Sequence, residues 1–434
     1  MAERASYSTV SRTPPWLEPI LHDHSPPRKL FAWRPDNVAS GFNHPPSRAD
    51  DRRIYILGAG NLGRLFASLL QKHPEPSPVT LVVHRKDALS DWISSNGIEI
   101  LRSGVLDANK NFDIEWWTDK PPEQGPVREV ADGGKLRNLI IATKAGNALE
   151  QVDRARGYLD RNSTIAFVQN GMSKMWPPHG LTFVDHRYPS NGAPSFLACV
   201  TTHGVTSQGP FKSLHASQGN VRFGPVLVNS ASWDSANHLT RQLSTTPQLD
   251  ATLVSRQDLW VLQLEKLVVN SIINPLTAIL RCKNGELFTT ENEAARKIMD
   301  LLLQEASGVL QALVWHESTS EALGLTPEQE TTMDEAPSGG ATSVRESLWA
   351  RFTVEQLRDM LYAVGYKVRD NTSSMLQDVN AGRSTEIRDF NGWLVETAAF
   401  VDPQLGVSAN RKLIDLVERG ASMNAAELQA HLCT

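Results

Sequence analysis

The sequence predicts an α/β amino-terminal domain followed by an all-α carboxy-terminal domain. Three observations carry this. Short apolar runs (IYIL, VTLVV, NLIIAT and TIAFV) recur between Ile54 and Val168, with helical or loop segments between them. That is the pattern of a parallel sheet buried on both faces. The first run ends in a glycine loop, GAGNLG, which opens a helix. After about Ser255 the apolar residues take up the helical period instead.

Taken in order, residues 1–50 are rich in Pro, Ser and polar side chains, with scattered Trp16 and Trp33 and no sustained period. They read as a flexible extension outside the fold. Residues 51–250 form the expected dinucleotide-binding domain, with the four apolar strands first. Shorter, turn-separated strands follow at 195–230, clearest in FLACVTTHG and NVRFGPV, where hairpin pairing is expected. Residues 251–434 form the helical domain, with helices expected at 256–274, 275–282, 292–316, 353–364, 374–380, 385–400 and 410–419. The break at 274/275 follows from Asn274-Pro275. Proline lacks a helical N–H and restricts the residue before it, so Asn274 is expected to cap a new helix. The acidic, Ser/Thr/Gly-rich stretch at about 317–345 reads as a flexible insertion.

Composition narrows the function classes. A chain of 434 residues with net charge −5 gives no general reason to expect nucleic acid. No apolar run approaches the ~18 residues that span a bilayer, so no membrane is expected either. Cys199, Cys282 and Cys433 are far apart, odd in number and without CxxC or Cys/His metal spacing. They read as reduced thiols of an intracellular protein, with no metal site. The amino terminus lacks a secretory pattern, and Glu3 and Pro14-Pro15 spoil a mitochondrial presequence. A cytoplasmic protein is expected, with mitochondria as the alternative.

The glycine loop carries the first chemistry. In Gly58, Ala59, Gly60, Asn61, Leu62 and Gly63, the first glycine allows the turn and the second admits a pyrophosphate. The third lets helix and strand pack closely, and the helix N-terminus offers free N–H groups to phosphate. The second strand ends in VVHRKD. An acidic residue near there would favour NAD. Arg85 instead suits the 2′-phosphate of NADP(H). Thr143-Lys144 and Gln169-Asn170-Gly171 follow two further strands, where ligands sit in open parallel sheets.

The helical domain carries the second. In KLVVNSIINPLTAIL, Lys266, Asn270 and Asn274 are spaced by four and form one polar stripe on an apolar helix. Burying unpaired amides and an ammonium is costly, so the stripe needs partners. The bland readings are a snorkelling lysine, a backbone-tied amide and a cap. Further on, Ser374 with Gln377 has capping-box spacing, Gly382 breaks the helix, and Glu386 opens the next.

Together GAGNLG, TKAGN, QNGM, TTHG, KLVVNSIINPLTAILRCKNGEL, SSMLQDV and GRSTEI–FNG resemble the ketopantoate reductase family (2-dehydropantoate 2-reductase), as a eukaryotic, fungal-type member. The resemblance covers most of residues 53–420. It implies a Rossmann-type domain plus a helical domain with the active site in the cleft between them. The implied reaction is NADPH-dependent reduction of 2-dehydropantoate to (R)-pantoate, on the route to pantothenate. Lys266 is then the proton donor. Asn170, Asn270, Asn274, Asn284 and Ser374 bind substrate. Lys144, Asn170, Gly204 and Glu386 join the glycine loop and Arg85 at the cofactor. The expected partner is a small 2-oxo acid, and a homodimer stays open. Two other readings stay open: reduction of another 2-oxo acid, or a nucleotide-binding assembly protein without catalysis. Oxidation with NAD is disfavoured by Arg85.

Overall fold

The computed structural model describes residues 13–39, 50–189, 191–229, 233–325 and 341–433. The chain divides into two compact units, one of Ser25–Leu264 and one of Met1–His24 with Glu265–Thr434.

Among the described residues the first unit holds thirteen strands. They are β1 (Phe31–Trp33), β2 (Ile54–Leu57), β3 (Val79–Val83), β4 (Ile98–Arg102), β5 (Val105–Asn109), β6 (Asp113–Thr118) and β7 (Asn138–Ile141). Then follow β8 (Thr164–Val168), β9 (Ser195–Thr201), β10 (Gly204–Gly209), β11 (Lys212–Ser217), β12 (Val221–Leu227) and β13 (Ala251–Leu253). Nine strands make one sheet in the order β1-β6-β3-β2-β7-β8-β9-β12-β13. From β6 to β9 all neighbours are parallel. Strands β2, β3, β7 and β8 are buried along their whole length, as the unbroken apolar runs require. The helices Asn61–Leu70 and Ala145–Arg154 return the chain between them. The segments FLACVTTHG and NVRFGPV pair as expected, β9 antiparallel to β12. Between them, β10 and β11 leave to build a second sheet of order β10-β11-β4-β5.

Residues 25–38 are not an extension outside the fold. Strand β1 pairs antiparallel with β6 at the sheet edge. Leu30, Ala32 and Trp33 are buried, and the Trp33 indole N–H donates to the Lys120 carbonyl at 2.8 Å. Arg34 is buried too and donates through Nη2 to Glu115 at 2.7 Å. A strand of only three residues shows no period, which is why composition dominated the sequence reading. Residues 1–12 and 40–49 lie outside the described residues.

In the second unit the helix Glu293–Trp315 is central. The helices Ala341–Arg351, Val354–Lys367, Trp393–Val401, Ser408–Glu418 and Ala425–Cys433 all pack against it. The break expected at Asn274 does not occur. One helix runs from Arg256 to Leu280 with Pro275 inside it, so Asn274 is no cap. Most of the expected insertion, residues 326–340, lies outside the described residues. Its flanks belong to the unit: Thr319 and Arg345 are buried and bonded to each other at 3.1 Å. Among the described residues, no helix is long and apolar enough to cross a membrane.

Candidate active site

In the sheet unit, the predicted cofactor residues other than Gly204 follow the carboxyl ends of β2, β3, β7 and β8. Gly58 has φ +110°, and a Cβ there would lie 2.7 Å from the Ala142 carbonyl oxygen. A Cβ on Gly63 would run into the Gly58 carbonyl. The space around Gly60 is open to 4 Å, and Gly60 is the N-cap of the helix Asn61–Leu70. The loop therefore presents bare backbone at a helix N-terminus, the geometry that cradles phosphate. The Asn61 side chain is spent internally. It accepts from Arg64 Nη2 at 3.0 Å and donates to the Val205 carbonyl at 3.4 Å. Only its backbone faces the role predicted for it. Arg64 is itself buried, donates to the carbonyls of Gly209 and Lys212, and is pushed down to about 10 by burial. It ties the glycine-loop helix to the second sheet, a role the sequence did not reveal.

Beyond β3, Arg85 is exposed and lies 3.6 Å from Asp91. Lys86 sits over the Trp33 ring at 4.7 Å. Asp87 is the first residue of the helix Asp87–Ser94, where an acid suits the helix dipole. Lys144 is half-buried and caps the helix Ala145–Arg154. The hydroxyl of Thr143 and the Oε1 of Gln169 are buried without a hydrogen-bond partner among the described residues, at the ends of β7 and β8. Orphaned polar atoms at those strand ends fit a dinucleotide lying across them. Asn170 is half-buried in the next turn, where Gly171 has φ +82°. Gln263 Nε2 donates to the Gly171 carbonyl at 3.3 Å, and its Oε1 accepts from the Trp176 indole at 2.6 Å. Gln263 thus holds the Asn170 turn, a contact 92 residues apart that no local motif signals. Gly204 opens β10 opposite Ser217, whose hydroxyl would meet any Cβ there. Packing alone accounts for that glycine.

In the helical unit, Lys266, Asn270 and Asn274 lie on the unbroken helix Arg256–Leu280. Lys266 and Asn270 are half-buried and Asn274 is buried. The side chains of Asn270 and Asn274 make no hydrogen bond among the described residues. Burial pushes the Lys266 ammonium down to about 8, and the charge of Glu386 opposes this. Glu386 is buried, just before a single π-helical turn, Arg388–Gly392. The Asn284 Nδ2 donates to the Val368 carbonyl at 3.2 Å, and its Oδ1 is buried without a partner among the described residues. Its backbone N–H donates to the Asn371 carbonyl at 3.1 Å, which brings the Asn284 turn beside the 371–374 segment. That segment joins the long helix through Ser373, whose hydroxyl lies 2.6 Å from the Thr277 hydroxyl. The cap of the helix Ser374–Asn380 is Ser373, which accepts from the Leu376 N–H at 3.1 Å. The expected pairing of Ser374 with Gln377 does not form the cap, which falls one residue earlier, and Ser374 is exposed in the first turn. Two open depressions of this unit, of about 420 and 590 Å³, contain none of the stripe residues or Glu386.

Comparison with known proteins agrees with both units. Residues 54–227 match the family model "Ketopantoate reductase PanE/ApbA", and residues 258–419 match its "C terminal" counterpart. A "Ketoisovalerate reductase BEA2" of Gibberella fujikuroi is 44% identical over 96% of this chain and 98% of its own length. A "Ketoisovalerate reductase" of Beauveria bassiana is 42% identical over the same shares. A "Probable 2-dehydropantoate 2-reductase" of Schizosaccharomyces pombe is 28% identical over 80% of this chain and 90% of its own. Among solved structures, a probable 2-dehydropantoate 2-reductase from Bacillus subtilis has the same fold. Its TM-score is 0.55 at 24% identity, over 85% of this chain and 99% of the other. The fold, the phosphate cradle and the matches along both units agree, and the chain belongs to the ketopantoate reductase family of NADP(H)-dependent oxidoreductases.

Proposed function

We propose that the protein reduces a branched 2-oxo acid to its 2-hydroxy acid with NADPH, and that 2-oxoisovalerate (ketoisovalerate) is the substrate. The observation that carries the reduction is the stripe on Arg256–Leu280. A half-buried lysine pushed down to about 8 shares it with two side-chain amides that make no hydrogen bond among the described residues. The observation that favours this acid is the pair of relatives at 44% and 42% identity, both ketoisovalerate reductases by name and matched over 96% of this chain.

The residues divide the work. The glycine loop and Arg85 bind the dinucleotide by its phosphates. Lys144, Asn170 and Gly204 supply further groups on the cofactor side. The reduced nicotinamide, when bound, supplies a hydride to the ketone carbon. Asn270, Asn274, Asn284 and Ser374 hold the carboxylate and ketone through amide and hydroxyl donors. As the ketone carbon is reduced, charge grows on its oxygen. The Lys266 ammonium stabilises that charge, gives up its proton to the oxygen, and is recharged from water. A lysine near 8 is a better acid at neutral pH than one at its ordinary value. Glu386, expected at the cofactor from the resemblance, is assigned here to the lysine instead: its charge favours the ammonium and keeps it from losing its proton too early.

2-Dehydropantoate, the substrate expected from the resemblance alone, is the second reading. It differs from 2-oxoisovalerate by a hydroxymethyl group. A site built to hydrogen-bond that hydroxyl would reject the acid lacking it by about 10⁴-fold or more, whereas an apolar pocket discriminates by only about 10²-fold. NADPH oxidation should therefore be followed with both acids in parallel. A higher kcat/KM for 2-oxoisovalerate supports the proposal. A preference for 2-dehydropantoate of about 10⁴-fold overturns it in favour of the second reading. NADPH binding without turnover of any 2-oxo acid overturns both.

A further inference from the structure

A proline inside a helix leaves one carbonyl without its donor, namely that of the residue four positions earlier. For Pro275 that residue is Ser271, which is buried on the helix carrying Lys266, Asn270 and Asn274. The orphan is not left open. The side-chain amide of Asn391, 120 residues further on, donates from Nδ2 to the Ser271 carbonyl at 2.9 Å. The second Nδ2 proton goes to Asn410 Oδ1 at 2.8 Å. Asn410 Nδ2 in turn donates to Glu305 Oε2 at 2.7 Å. The same Glu305 carboxylate accepts the backbone N–H groups of Ala409 and Asn410, at 2.8 and 3.0 Å. Asn391 and Asn410 are both almost completely buried. This is a polar chain with a charged anchor, crossing the apolar interior of the helical unit and ending on a single backbone atom.

Its position matters. Asn391 lies in the π-helical turn Arg388–Gly392, five residues after Glu386. Ser271 lies between Asn270 and Asn274. One amide therefore fastens the segment carrying the glutamate to the helix carrying the lysine and the two asparagines. A bond to an ordinary helical carbonyl would compete with the helix's own N–H. Proline removes that competitor and creates a single docking point, so Pro275 and Asn391 act as one device.

We infer that Asn391 is a positioning residue for the reductase site. It supplies the donor that Pro275 lacks, keeps the stripe in register through the proline, and fixes the distance between Lys266 and Glu386. The kinetic part of this rests on the reductase reading. The geometric part does not.

Three variants test it: Asn391→Leu, Pro275→Ala and the two together. Pro275→Ala returns a backbone N–H to Ser271, so the helix no longer needs the amide. Each is measured for KM and kcat with the 2-oxo acid, for NADPH affinity by fluorescence titration, and for the Lys266 titration. The last uses ¹³C-methylated lysine resonances assigned by their loss in Lys266→Met. Asn391→Leu should raise KM by roughly tenfold, as losing a well-placed hydrogen bond does, and leave NADPH affinity within about twofold. It should also move the Lys266 midpoint away from about 8. Adding Pro275→Ala should recover most of both losses. A fall in thermal stability alone, with KM and the Lys266 midpoint unchanged, overturns the inference. So does a double variant no better than Asn391→Leu. If Asn391→Leu does not fold, a folded double variant with near wild-type values supports the inference and an unfolded one overturns it. If the unaltered protein turns over no 2-oxo acid, the reductase reading falls, and the Lys266 resonance alone decides the geometric part.

Discussion

The Lys266 ammonium gives a prediction in which function and stability pull in opposite directions. Its proton is held at about 8 in the fold against an ordinary 10.5. The whole of that displacement corresponds to about 3 kcal/mol of folding free energy, at about 1.4 kcal/mol per tenfold change in proton affinity. Water still reaches a half-buried side chain, so roughly 1–2 kcal/mol is expected in practice. The sign follows from proton counts. Below about 8 the lysine is protonated in both states and its burial costs the fold the full amount. From there to 10.5 the native protein sheds the proton first, the unfolded chain binds more protons, and stability rises with pH. Above 10.5 the cost is gone. In Lys266→Met that dependence is absent. The free-energy difference between variant and parent should therefore move by roughly 1–2 kcal/mol in favour of the parent from pH 7 to above 10.5. Contributions that do not titrate cancel from this slope, and the attraction of Glu386 for the ammonium is already contained in the value of about 8. Urea unfolding at a series of pH values measures it. The same variant should lose about 10²-fold or more in kcat, the usual contribution of a positioned acid, while the parent's rate declines as pH rises through about 8. A stability difference flat across that range would mean an ordinary lysine, and near-normal turnover in the variant would end the acid assignment.

Other outcomes are equally concrete. Asn274→Ala should raise KM for the 2-oxo acid by roughly tenfold and leave NADPH affinity alone, since the amide makes no hydrogen bond among the described residues; weakened NADPH binding in a fluorescence titration would place the residue elsewhere. Arg85→Ala should raise KM for NADPH by roughly 10–100-fold and that for NADH hardly at all; equal losses with both would remove the 2′-phosphate role. In the sheet unit, Arg102 Nε donates to His215 Nδ1 at 2.9 Å, and His215 Nε2 lies 3.0 Å from His203 Nδ1. His203 Nε2 faces the Leu249 carbonyl at 3.0 Å. The chain of donors leaves both rings neutral, and burial pushes His215 down to about 4. A histidine depressed in the fold contributes stability that is complete above its ordinary 6.5 and lost as pH falls towards about 4. Acid unfolding followed by circular dichroism should show this loss in the parent and not in His215→Phe; identical acid limbs would refute it.

What the sequence revealed follows the range of each interaction. The phosphate cradle was legible because the demands on Gly58 and Gly63 come from atoms of the same strand–loop–helix unit or the adjacent strand. The lysine–asparagine stripe was legible because a helix repeats every few residues. The unbroken helix was not. Pro275 argued for a break, and the amide that overrides it lies 120 residues away. Gln263 under the Asn170 turn and Arg64 between the two sheets escaped for the same reason: their partners lie 92 and more than 140 residues off. The cap at Ser373 rather than Ser374 is a local error of one position. Only Ser374 has a glutamine three residues on, yet Ser373 is the cap, and the Thr277 hydroxyl that meets Ser373 is distant in sequence.

Strand β1 has a consequence for the order of assembly. Phe31 lies opposite Thr118 and Trp33 opposite Trp116, so β1 leaves the ribosome more than eighty residues before its partner strand exists. A truncated chain lacking β1 leaves the aromatic run at Trp116-Trp117 with an open flank and offers that flank to another molecule. The amino-terminal segment thus closes the sheet late and from outside, as a built-in chaperone for its own edge. Shortened forms starting after Trp33 should betray this first as aggregates during expression, before any loss is seen in the chemistry of the site.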